Sequence, residues 1–143
     1  MNLEQARFNM VEQQIRTWEV LDQDVLDLLY VVRREEFVPG AYRDLAFSDL
    51  EIPIGEEQCM WQPKMEARVL QELAIKKSER VLEIGTGTGY LTALMAHRAQ
   101  HVYSVEISAE LMSLGEKALR AHGIGNVTLE VGDAALGWDK HGP

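Results

Sequence analysis

The segment Glu83-Ile84-Gly85-Thr86-Gly87-Thr88-Gly89-Tyr90 is the part of this sequence best suited to hold a small ligand. Alternating glycines let the backbone approach a ligand closely, and a helix beginning directly behind them would aim its first N–H groups at it. A dinucleotide fingerprint, G-x-G-x-x-G, needs glycine where this chain has Tyr90, so the pattern departs from that ligand class. The acidic Glu83 stands just upstream. A carboxylate beside amide donors suits a ligand end bearing an ammonium and a carboxylate better than it suits a phosphate.

Two further acids fall at the ends of the next apolar runs, Glu106 followed by Ile107 and Asp133 followed by Ala134. At a strand end the first can accept from both hydroxyls of a ribose and the second from an adenine amino group. Alone, either acid reads as a solvated loop residue, and a glycine turn alone reads as a plain strand-to-helix corner. Together on one sheet edge they describe a ligand site, with Gly85, Thr86, Gly87, Thr88 and Gly89 forming the turn. The ligand that these groups suit is S-adenosylmethionine.

Three short apolar runs must position these residues. Arg80 to Ile84 stops at glycines, as a buried parallel strand does, and His101 to Glu106 and Val127 to Val131 have the same character. Helices are predicted between them, over Tyr90 to Arg98 and over Ala109 to His122, the latter closed by Gly123. This β-α-β-α-β order calls for a parallel sheet with right-handed crossovers, a Rossmann-like α/β half-fold. Upstream, Phe8, Val11, Ile15 and Trp18 share one stripe of a predicted helix over 3–18. Asp22 is the N-cap of a helix to about Arg33 with the apolar set Val25, Leu26, Leu29 and Val32. Pro39-Gly40 marks a stop, Tyr42 to Gly55 reads as a loop with short extended pieces, and Pro63 opens a helix with Met65, Val69, Leu70 and Leu73 inward. The expected organisation is one domain over 1–143, with a helical N-terminal cap at 1–60 and the βαβαβ half at 61–143.

The 143 residues amount to one globular domain, and 14 Lys and Arg against 23 Asp and Glu leave a net charge of -9. That balance argues against binding to nucleic acid or an anionic membrane. The single Cys59 excludes an internal disulfide and a multi-cysteine zinc cluster, fits a reducing compartment, and reads as a small apolar filler. His97, His101, His122 and His141 lack metal-ligand spacing, so no metal is expected. The longest apolar stretch, Leu28 to Val32, falls far short of the roughly 20 residues of a membrane helix. The N-terminal segment lacks the basic-then-apolar order of an export signal, so a cytoplasmic location is expected. Glu35-Glu36 and Glu56-Glu57 read as solvated pairs. A fourth strand is expected where the sequence reaches Lys140-His141-Gly142-Pro143. The expectation is therefore an N-terminal portion of a longer sheet, or self-association through the incomplete one.

Several segments together resemble the protein-L-isoaspartate O-methyltransferase family along nearly the whole chain: MVEQQIR at 10–16, VRREEFVPGAY at 32–42, LEIPIG at 50–55, QPKM at 62–65, RVLEIGTGTGYLTA at 80–93, VYSVE at 102–106 and GNVTLEVGDAALGW at 125–138. The resemblance implies a Rossmann-like methyltransferase fold, a seven-stranded three-layer α/β/α sheet that is incomplete here at the C-terminus. It also implies S-adenosylmethionine as cofactor and methyl transfer to the free carboxylate of an isoaspartyl residue in a protein or peptide. Such an in-line displacement is accelerated by alignment and exclusion of water.

One segment departs from the family. Trp61 stands where the family has a serine beside the acceptor carboxylate, and Cys59 stands at its threonine, so the implied acceptor side is Cys59, Met60, Trp61 and Gln62, with no catalytic side chain assigned. Trp61 lines a pocket for a different acceptor, plugs the site, or packs elsewhere. The two functional readings are an isoaspartyl-type carboxyl methyltransferase and a methyltransferase-like cofactor-binding protein with another acceptor or no catalysis.

Overall fold

The computed structural model describes residues 2–135, 137 and 138. The chain separates at the end of its third helix into two units, Met1–Ala74 and Ile75–Pro143.

In the first unit, helix α1 (Leu3–Asn9) begins where the Asn2 side chain accepts from the Gln5 N–H, and it runs directly into a π-helical turn, Met10–Ile15, and a 3-10 turn, Arg16–Trp18. A π turn carries more residues per revolution than an α turn, which rotates the inward face. The buried residues are Arg7, Met10, Val11 and Ile15, so Val11 and Ile15 of the predicted stripe face inward while Phe8 and Trp18 are exposed. Helix α2 (Gln23–Val31) follows the expected pattern: Asp22 caps it by accepting from the Asp24 and Val25 N–H groups, and Val25, Leu26 and Leu29 are buried.

Strands β1 (Ile52–Gly55) and β2 (Gln58–Met60) then form an antiparallel hairpin, with Ile52 opposite Met60, inside the segment read as helical cap and loop. Its two-residue turn, Glu56-Glu57, has φ of 55° and 59°, the left-handed region normally signalled by Asn-Gly. Helix α3 (Pro63–Leu73) buries Pro63, Glu66, Ala67 and Leu70, while Met65 and Leu73 of the predicted inner face are exposed. The unit thus extends past residue 60 to include α3.

Ala74 ends α3 at φ 47° and ψ 48°, donating its N–H to the Gln71 carbonyl. A Cβ in that left-handed position costs about 1–2 kcal/mol, part of which a glycine's extra unfolded-state freedom offsets. Ala74→Gly is therefore expected to raise stability by about 0.5–1 kcal/mol, read as a higher urea midpoint. A lowered midpoint would contradict this.

In the second unit, strands β3 (Arg80–Ile84), β4 (His101–Glu106) and β5 (Val127–Val131) form a parallel sheet in the order β3-β4-β5. Helices α4 (Tyr90–Ala96) and α5 (Ala109–Ala121) are the crossovers; the Ser108 hydroxyl caps α5 by accepting from Leu111, and Gly123 at φ 67° follows its end. Because the chain steps across the sheet in one direction, right-handed crossovers put both helices on the same face. The core there includes Val102, Leu94, Leu111 and Leu119. Close approach of α5 to the glycine turn requires Gly115: a Cβ there would lie 3.1 Å from the Gly87 carbonyl and 3.2 Å from the Thr86 methyl. Among the described residues no helix is long and apolar enough to cross a membrane.

Candidate cofactor site

Parallel register decides which residues meet at the sheet edge. Ile84 pairs with Val105 and Glu106 with Val131, and the ladder runs one step further, Gly85 N–H donating to Val105 O (2.7 Å) and Gly132 N–H to Glu106 O (2.9 Å). The glycine turn, Glu106 and the Gly132-Asp133-Ala134 segment therefore lie side by side at the carboxyl ends of adjacent strands, where open α/β sheets bind ligands.

Glu106 is 4% exposed, and its carboxylate ties the turn to its own strand end. One oxygen accepts from Gly87 N–H at 2.8 Å and the other from Ser108 N–H at 3.0 Å. Each carboxylate oxygen has a second lone-pair direction, so a fixed carboxylate of this kind can also accept from a vicinal diol. Asp133 is exposed at the adjacent edge, where Oδ1 accepts from Ala135 N–H at 3.0 Å in a local turn. Ala134 is buried beside it, and Ile107, just past Glu106, is exposed.

Behind the turn lies a polar cluster that the sequence did not disclose. The Ser104 hydroxyl donates to Glu83 Oε1 at 2.6 Å, the Thr92 hydroxyl donates to the same oxygen, and the Thr86 and Ser104 hydroxyls are 2.5 Å apart. All four side chains are buried. Glu83, expected at the ligand, thus faces β4 and α4. Gly89, at φ 89°, closes the turn with its N–H on the Thr86 carbonyl. A Cβ on Gly89 would lie 3.2–3.3 Å from Leu119 and the Gly115 carbonyl, so this position needs glycine both for conformation and for space.

In the first unit, the predicted acceptor-side residues occupy β2 and the link to α3. Cys59 is exposed on β2, not an apolar filler, because Met60 takes the inward position opposite Ile52. Gln62 is half-buried before Pro63, and Trp61 is 47% exposed. The backbone at Trp61 is held by Arg34, whose Nη2 donates to the Trp61 carbonyl at 2.9 Å. Arg34 is fully buried; its Nε also donates to the Ala46 carbonyl at 2.7 Å and its Nη1 to Glu66. Burial pushes the Glu66 carboxyl up to about 6, the Arg34 charge opposing this only in part.

A second buried pair corrects the reading of Glu35 as solvated. Arg7 grips it with two parallel hydrogen bonds of 2.8 Å while lying over the Phe47 ring. Burial raises the Glu35 carboxyl, but the Arg7 bonds and a backbone hydrogen bond outweigh it and hold the group below its usual value. Of the histidines, His101 Nε2 pairs with the Thr128 hydroxyl at 2.7 Å and His122 Nδ1 with the Ala118 carbonyl at 2.9 Å. No group of three His, Cys, Asp or Glu among the described residues is placed to hold a metal; His141 lies outside them.

A parallel β3-β4-β5 sheet with a glycine turn after the first strand and an acid ending the second defines a Rossmann-like unit of the methyltransferase type. The chain belongs to the protein-L-isoaspartate(D-aspartate) O-methyltransferase family, whose sequence pattern matches residues 5–143. It is 42% identical over 140 residues to protein-L-isoaspartate O-methyltransferase 2 of an Anaeromyxobacter species, covering 98% of this chain and 58% of that protein. The Dictyoglomus turgidum protein-L-isoaspartate O-methyltransferase is 43% identical over 124 residues, covering 87% of this chain and 56% of the relative. The chain therefore spans less than two thirds of the length of these curated relatives. A solved protein-L-isoaspartate O-methyltransferase structure matches with a TM-score of 0.75 at 27% identity, over 98% of this chain and 45% of that one. A Plasmodium falciparum beta-aspartate methyltransferase in complex with S-adenosyl-L-homocysteine shares the fold, with a TM-score of 0.73 at 19% identity, over 94% of this chain and 64% of that one.

Proposed function

We propose that this protein is an S-adenosylmethionine-dependent carboxyl methyltransferase of the protein-L-isoaspartate type, acting in protein repair. The observation that carries the reading is the fixed Glu106 carboxylate, joined to the glycine turn through Gly87 N–H at the strand edge of a chain that belongs to this family. Glu106 receives the ribose hydroxyls and Asp133 the adenine amino group, with Ile107 and Ala134 flanking them. Gly85 to Gly89 lie along the methionine end, Thr86 and Thr88 shape that turn, and Glu83 supports it from behind.

The acceptor is an isoaspartyl carboxylate of a protein or peptide. Its oxygen forms a bond to the sulfonium methyl as the S–CH3 bond breaks, and the electron pair leaves with neutral S-adenosylhomocysteine. The nucleophile is already ionised and the donor already activated, so holding both in line and dry is the protein's task. A cytoplasmic setting suits a protein whose single cysteine is exposed and free. Among the described residues β3 and β5 are the outer strands of their sheet, which supports self-association, and the net charge of -9 disfavours nucleic acid and anionic membranes as partners.

Trp61 favours a second reading. Its half-exposed indole replaces a small hydroxyl in the acceptor segment, which suits a cofactor-binding protein with another acceptor or none. Calorimetric titration of S-adenosylhomocysteine, followed by an isoaspartyl-peptide methylation assay on the wild type and Trp61→Ser, separates the two. Binding with wild-type turnover supports the repair enzyme. Binding with turnover only in Trp61→Ser supports the second reading, and absence of binding overturns both.

A further inference from the structure

The polar cluster behind the glycine turn has a direction. The Ser104 hydroxyl donates to Glu83 Oε1 at 2.6 Å, so its single proton is committed there. The 2.5 Å contact between Ser104 and Thr86 must then run from the Thr86 hydroxyl to the Ser104 oxygen. The chain of donors is Thr86 to Ser104 to Glu83, spanning the turn, β4 and β3, with Ser104 beside Glu83 in register. Thr92 reaches the same Glu83 oxygen from α4 but is not part of that chain.

We propose that Ser104 is a positioning residue for the cofactor: through its oriented hydroxyl it holds Thr86, and so the whole Gly85–Gly89 turn, in the shape that binds S-adenosylmethionine. This rests on the cofactor assignment made above. Ser104 is 0% exposed, so it cannot touch a ligand and its effect must pass through the turn. Each of its two buried neighbours loses a hydrogen bond without it. Thr86 is the only one of the two that belongs to the turn, and freeing it costs the turn one of its two described anchors to β4, the Glu106 bond to Gly87 N–H being the other.

The test is S-adenosylhomocysteine affinity and urea stability measured on the complete natural gene product. Ser104→Ala and Thr86→Val are each expected to weaken binding about tenfold, and the double variant no more than either alone, because both break one chain. Thr86→Ser, which keeps the hydroxyl, is expected to bind like the wild type. Thr92→Val is expected to lose stability while its affinity stays within about twofold. A purely structural cluster would instead move affinity in proportion to stability in all the variants, and that pattern would overturn the proposal. So would wild-type affinity in Ser104→Ala, or additive losses in the double variant. Should Ser104→Ala fail to fold, the Thr86→Val and Thr86→Ser pair decides: equal affinities overturn the proposal. A wild type that binds no S-adenosylhomocysteine defeats the cofactor assignment itself, whereas binding with no Ser104 or Thr86 effect defeats only this inference.

Discussion

Replacing Glu106 by alanine is expected to weaken S-adenosylhomocysteine binding a hundredfold or more. Two hydrogen bonds from ribose hydroxyls to a carboxylate are worth about 1.5–3 kcal/mol each, and about 3 kcal/mol in total is a hundredfold in affinity. The same substitution releases the Gly87 and Ser108 N–H groups that the carboxylate now holds at 2.8 and 3.0 Å, so the turn loses an anchor as well as the ligand its partner. Asp133 is exposed and makes one local bond, to Ala135 N–H, so Asp133→Ala is expected to cost only about tenfold, one hydrogen bond's worth. Calorimetry on both variants reads this ordering. Equal, small losses would mean that Glu106 only braces the turn and that the ribose lies elsewhere.

The largest loss of stability is expected from Arg34→Ala. Arg34 is fully buried and joins the Ala46 carbonyl, the Trp61 carbonyl and Glu66. Removing one partner of a buried ion pair costs about 3–5 kcal/mol, because the other is left buried without its counter-charge and hydrogen bond. Against the roughly 5–15 kcal/mol total of a typical domain, that is enough to leave a measurable fraction unfolded at 37 °C. Urea denaturation of the variant measures it.

Glu66 adds a pH signature. Its carboxyl titrates at about 6 in the fold against an ordinary 4.5, so the native state holds more protons between those values. The contribution of Glu66 is present in full below 4.5 and is lost as pH rises through 6, by about 2 kcal/mol at 1.36 kcal/mol per unit. Glu35 acts oppositely: held below its usual value by Arg7, it stabilises above that value and loses the effect as pH falls through its lowered one. A stability-against-pH curve for Glu66→Gln is expected to lack the decline between 4.5 and 6 expected of the wild type. A flat wild-type curve over that window would falsify the assignment.

Elements whose cause is local were legible in the sequence. The three parallel strands ended where apolar runs met glycine or a charge, Asp22 capped α2, and Gly123 followed α5, because each signal needs only neighbouring residues. The placement of Glu106 and Asp133 at one edge followed from the same strand ends. Of the β1–β2 hairpin only the extended piece before Gly55 was legible; the pairing with β2 was not, since its turn uses Glu56-Glu57 at positive φ and carries no Asn-Gly signal. Of the inward stripe of the first helix, Val11 and Ile15 were legible, whereas Phe8 and Trp18 lie exposed, because the helix changes from α to π to 3-10 geometry along 3–18.

What the sequence alone determined is the order of the sheet elements, the glycine turn and the acid at the next strand end, each written in a handful of adjacent residues. Tertiary structure decided which polar residues are buried. Arg7 meets Glu35 across 28 positions, Arg34 meets Glu66 across 32, and Ser104 meets Glu83 across 21. A charge or hydroxyl leaves water only where a partner replaces its hydration, and that partner comes from a distant part of the chain.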